Sequence, residues 1–88
     1  MRLRKKLTYR SGFSQKDYDT VARKLSRLSV RELMNQLDQY LTEMLTIAYA
    51  YQHNNREELI LEMKRDLITL MAVVDEMHED YTARHGSI

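Results

Sequence analysis

Cysteine, proline and tryptophan are absent from this 88-residue chain, and glycine occurs only twice, as Gly12 and Gly86. Without cysteine there is no disulfide and no thiolate metal site. That absence fits a reducing compartment, so the expected location is the cytoplasm. Without proline, and with no glycine between positions 12 and 86, the chain lacks the residues that punctuate sheets and tight turns. The expected fold class is therefore all-α. No run approaches 18 uncharged apolar residues, so no membrane span is expected. The basic start, Met1-Arg2-Leu3-Arg4-Lys5-Lys6, is not followed by the apolar core of a signal peptide. A Gly-rich phosphate loop and an H-E-x-x-H zinc motif are both missing.

What is present is charge, unevenly placed. Residues 1–28 hold nine Lys/Arg against Asp17 and Asp19, a balance of +7, whereas residues 29–88 hold five against eleven Asp/Glu, a balance of −6. A basic segment on a neutral protein can meet nucleic acid, a nucleotide, or the acidic part of another copy. Eighty-eight residues make one helical domain, with residues 1–12 as a basic arm. A domain of this size buries roughly 60–65% of its unfolded surface and often leans on oligomerisation.

Three helix starts can be read. Ser14 with Asp17 three residues on forms a capping box for a short helix over about 14–27, with Phe13 stapled to Tyr18. Tyr18, Val21, Ala22, Leu25 and Leu28 share its apolar face. Ser29-Val30-Arg31-Glu32 is an S-x-x-E box, with Leu28 and Leu33 as its staple, and so predicts a corner at 28–29. The helix it opens, about 29–53, carries Val30, Leu33, Leu37, Tyr40, Met44, Ile47 and Tyr51 at alternating spacings of three and four. Met34, Leu41, Leu45 and Ala48 widen that seam. Asn54-Asn55 supplies a turn, with Asn55 capping a third helix over about 55–84 and Glu58 completing the box. Its expected seam is Ile60, Met63, Leu67, Leu70, Val74, Met77 and Tyr81, widened by Leu61, Ile68 and Met71. Glu62, Asp66, Thr69, Glu76 and Asp80 form its expected solvated side. Arg84-His85-Gly86 reads as its end.

A turn this short makes the two long helices an antiparallel hairpin. One partner helix covers only a narrow seam, and the 14-residue first helix is too short to cover the rest. Met34, Leu41, Leu45, Tyr49, Leu61, Ile68 and Met71 are therefore the interface candidates. The expected architecture is a helical bundle completed by oligomerisation, with a dimer favoured over larger rings or a protein target.

Chemistry is sparse. Asp75-x-x-His78 supplies half of one bundle metal site and no second half, and His53 and His85 sit at helix ends, so no metal or cofactor is expected. The serines are caps or lie on polar faces and in tails, and no nucleophile–base pair emerges, so the chain reads as non-enzymatic. Three functions fit. The first is a small oligomeric interaction protein that binds and modulates another macromolecule, of the size and simplicity common among phage and mobile-element accessory or inhibitor proteins. The second is a nucleic-acid-binding accessory using Arg2, Arg4, Lys5, Lys6, Arg10, Lys16, Arg23 and Arg27, with Tyr9 and Phe13 as stacking aromatics. Residues 3–10 alternate loosely, and a basic strand before two helices is the layout of dimeric ribbon DNA binders. Ser11-Gly12 and the overlong second helix depart from it. The third is an oligomeric pocket for a small anion such as a nucleotide, lined by Arg10, Lys16, Arg23 or Arg27 of adjacent copies.

Overall fold

The computed structural model describes residues 15–86 as three helices: α1 (Gln15–Leu25), α2 (Val30–His53) and α3 (Glu57–His85). The described residues contain no strand. The staple at Phe13, the cap at Ser14 and the strand reading of 3–10 lie outside them.

The corner before α2 forms as its sequence dictates. The Ser29 hydroxyl accepts the Glu32 backbone N–H (3.2 Å), while the Glu32 carboxylate accepts the Ser29 N–H (2.9 Å). Two of the four orphan donors of the helix start are thereby satisfied. The Glu32 carboxyl is held below its ordinary range, first by the Ser29 backbone N–H and then by the Ser29 hydroxyl. Leu33 is buried and Leu28 packs against the same cluster, as a staple requires. Ser29→Ala should cost about 1 kcal/mol of stability, read as a lower urea midpoint at unchanged slope.

The second corner differs from expectation. Asn55 does not cap α3. Its side-chain amide donates to the Tyr51 carbonyl (2.9 Å), closing the end of α2 together with the Asn54 N–H bonded to the Ala50 carbonyl (2.9 Å). Arg56 takes the cap position of α3, and its side chain bonds the Glu58 carboxylate (3.3 Å) and not the first backbone amides of the helix. An asparagine between two helices can satisfy carbonyls behind it or amides ahead of it. Here the carbonyls win, and Glu57 and Glu58 are left to meet the dipole of α3. At the far end, Gly86 at φ 74° terminates α3, a conformation that glycine adopts without strain.

Only three residues connect α2 to α3, and the two helices pack along each other, so they run antiparallel. On α2 the buried or half-buried line is the expected one: Val30, Leu33, Leu37, Tyr40, Met44, Ile47 and Tyr51. On α3 Met63, Leu70 and Met77 are covered as expected, but the alternate positions of the line move back by one residue. Leu59, Met63, Asp66, Leu70, Val73 and Met77 are the covered positions, while Ile60, Leu67, Val74 and Tyr81 are exposed. Asp66 and Glu76, expected in solvent, are buried.

The shift has a cause in α1. Its Tyr18, Ala22 and Leu25 bury against Ile68, Ala72 and Val73 of α3 and Leu33 of α2. Ala22 and Ala72 have essentially no exposed surface, and two such small side chains let the helices approach closely. The Tyr18 hydroxyl donates to the Asp75 carboxylate, so this buried phenol has its partner. With α1 on the side of Ile68 and Ala72, α3 turns so that Val73 and not Val74 enters the core.

Candidate interaction surface

With both seams known, the flanks can be placed. On α2 the positions just beyond the seam are Met34, Leu41 and Ala48; on α3 they are Ile60, Leu67, Val74 and Tyr81. Residues seven apart return to nearly the same face of a helix. Reversing one helix mirrors its wheel, so these two flanks lie on the same side of an antiparallel pair. Every one of the seven is apolar, or amphipathic in the case of Tyr81, and none is charged. Met34 is 55% exposed, Leu41 48%, Leu67 53% and Val74 51%. Leu45 and Tyr49 stand exposed on the outer edge of α2, and Leu61 on that of α3. Charges begin only at the rim, with Asp38 and Lys64. The Tyr81 ring stacks on His85 (centroids 4.1 Å apart, 14° between planes), and Tyr49 meets His53 edge-on at 4.6 Å.

Two of the residues read from the sequence as interface candidates belong elsewhere. Ile68 is buried beneath α1, and Met71 is half-buried against the same cluster. Both were read as flanking the seam without allowance for α1, which covers this part of α3. Met34, Leu41, Leu45, Tyr49 and Leu61 are exposed as expected. Ile60, Leu67, Val74 and Tyr81 are the additions. They repeat every seven residues, but so do Leu59, Asp66, Val73 and Asp80, and the acids in the second series made the first look like the core.

The buried acid is the electrostatic anomaly of the helix pair. Asp66 is 5% exposed, and its Oδ2 has no hydrogen-bond partner. Burial pushes its carboxyl up from 3.8 to about 7, helped by the hydrogen-bonded Glu43 across the seam and by the charges of Glu43 and Glu62.

The basic candidates fall into two sets. Arg2, Arg4, Lys5, Lys6 and Arg10 lie outside the described residues. Lys16 and Arg23 come together on the outer face of α1, opposite Tyr18, Ala22 and Leu25, and Arg27 follows them in the turn after the helix. Lys24, absent from the expected set, joins them. Thr20, Arg23, Lys24 and Arg27 line an open groove of about 340 Å³. A second cleft of about 390 Å³ between α1 and α3 carries Asp17 and Arg65 together, and so has no net pull on an anion. Among the described residues no three His, Asp or Glu side chains are placed to hold a metal ion, and no helix is long and apolar enough to cross a membrane.

Compared with known proteins, the chain matches no family model, no curated protein and no solved structure.

Proposed function

We propose that this chain is a non-enzymatic helical interaction protein that self-associates as a dimer through the uncharged face of α2 and α3, and in that form binds and modulates another macromolecule. The observation that carries this reading is the unbroken apolar flank on both helices of one side, seven positions with no charge among them. Solvated helix faces are normally interrupted by charge every turn. Contiguous exposed apolar patches of this kind mark binding sites.

The dimensions suit a second copy. From Ile60 to Tyr81 the stripe runs about 31 Å, and two helices side by side span about 20 Å. That gives about 600 Å² per copy and about 1,200 Å² for a pair, at the low end of stable protein interfaces. Two helix pairs meeting on this face make a four-helix bundle with α1 on the outside of each half, a closed two-fold assembly. A helical rod with charged outer faces suits a role carried by binding in place of chemistry, and the reading keeps the protein in the cytoplasm.

The test is the molar mass in solution. At micromolar concentration, light scattering should give about twice the 10.6 kDa of one chain. A species at the mass of one chain, with its apolar face unoccupied, would overturn the proposal.

A further inference from the structure

The outer face of α1 carries a second surface that self-association does not use. Lys16, Thr20, Arg23, Lys24 and Arg27 are all exposed and recur at intervals of three and four, so they form one stripe along α1 and into the turn that follows it. None of these four cations has an ion-pair partner among the described residues, whereas Arg56 pairs with Glu58 and Arg84 with Asp80. Together with Thr20, three of them line one open groove. Asp17 and Asp19 are the only acids on α1, and the sequence before it, residues 1–14, holds five further cations and no acid.

We infer that this stripe is a binding site for the phosphate backbone of a nucleic-acid duplex, without regard to sequence. Successive turns of the stripe lie about 5.4 Å apart, so its cations are spread along a line and can meet several phosphates of a backbone at once. Arginine presents a planar fork that fits phosphate oxygens, and the Thr20 side chain adds a small polar group between the cations. Two other polyanion surfaces fit less well. A helix that lies on a membrane needs an apolar face to insert, and the apolar face of α1 is already buried against α3. Single strands are gripped by exposed aromatic platforms, and the one aromatic side chain of α1, Tyr18, is 2% exposed.

The experiment is fluorescence anisotropy with a labelled 20-base-pair duplex and the whole chain at 50 mM salt. Binding should weaken with salt, with a slope of log K against log salt of about −3 to −4 for four cations in each copy. The variant Lys16→Ala/Arg23→Ala/Lys24→Ala/Arg27→Ala should lose at least tenfold in affinity at unchanged helicity by circular dichroism. If that variant loses helicity, Arg23→Gln/Arg27→Gln takes its place, with a loss of several-fold expected. Absence of duplex binding by the parent overturns the inference. So does full affinity in the substituted chain, which would move the site to Arg2, Arg4, Lys5, Lys6 and Arg10. Equal or tighter binding to vesicles containing phosphatidylserine overturns it in favour of a membrane surface. Molar mass separates this site from the proposed dimer face, because the substitutions should leave the mass of the free protein unchanged.

Discussion

Asp66→Leu is expected to raise the melting temperature at pH 8 by about 10–20 °C. Asp66 occupies a seam position of α3 between Met63 and Leu70 where every other occupant is apolar, and its Oδ2 is buried without a partner. A carboxylate in that place costs desolvation and meets like charge from Glu43 and Glu62. Leucine removes both penalties and fills the seam. Because the folded pKa is raised, the sign of the pH dependence is fixed: stability is greatest below the unfolded value of 3.8, falls as pH rises towards about 7, and levels off above it. The span is on the order of 2–4 kcal/mol, and for a chain of this size each kcal/mol shifts the melting point by about 4–8 °C. Melts followed by circular dichroism at pH 5 and pH 8, at one protein concentration, check this. The parent should melt higher at pH 5, and the leucine variant should lose most of that difference. A variant that melts below its parent at pH 8 would show that the buried acid holds the seam together.

Leu41→Glu combined with Leu67→Glu is expected to convert the proposed dimer to single chains. Both residues lie at the middle of the uncharged face, one on each long helix, and both are about half exposed in the isolated chain. Neither substitution should therefore disturb the core of one copy. In a dimer the pair places four carboxylates inside one interface. Each leucine is already half covered in one copy, so association adds roughly half of the 1.5–3 kcal/mol of full burial, before the cost of desolvating the charge that replaces it. Four such losses total about 3–6 kcal/mol, on the order of a hundredfold to ten-thousandfold weakening of association. Light scattering should fall from about twice the chain mass of 10.6 kDa to the chain mass, with helicity by circular dichroism maintained at moderate temperature. The matching control is Asp38→Glu/Lys64→Arg at the rim, which should leave the mass unchanged. An undiminished mass in the leucine variant would place self-association on another face.

Much of the fold was legible because its signals are local. Ser29 and Glu32 are three residues apart and satisfy each other's backbone groups whatever lies around them, so the corner at 28–29 could be read directly. The seam of α2 was equally plain, since Val30 through Tyr51 offers one apolar line at the right spacing. Asn55 was less decidable, because its amide can turn towards either helix. The α3 register was ambiguous in principle. Ile60, Leu67, Val74 and Tyr81 are more apolar than Leu59, Asp66, Val73 and Asp80, and from the sequence the more apolar line is the better core.

The sequence by itself determined that the chain is helical, where α2 begins, which side of α2 turns inward, and that more apolar surface exists than one helix pair can cover. Tertiary structure decided which face of α3 carries the surplus. Contact with α1 through Ala22 and Ala72 requires close approach on one side of α3, and satisfying that contact together with the α2 seam draws Val73, Ile68 and even Asp66 inward and leaves Leu67 and Val74 outside. Hydrophobic periodicity ranks the faces of one helix taken alone. Burial is settled by all the neighbours at once, and here the third helix tipped the balance.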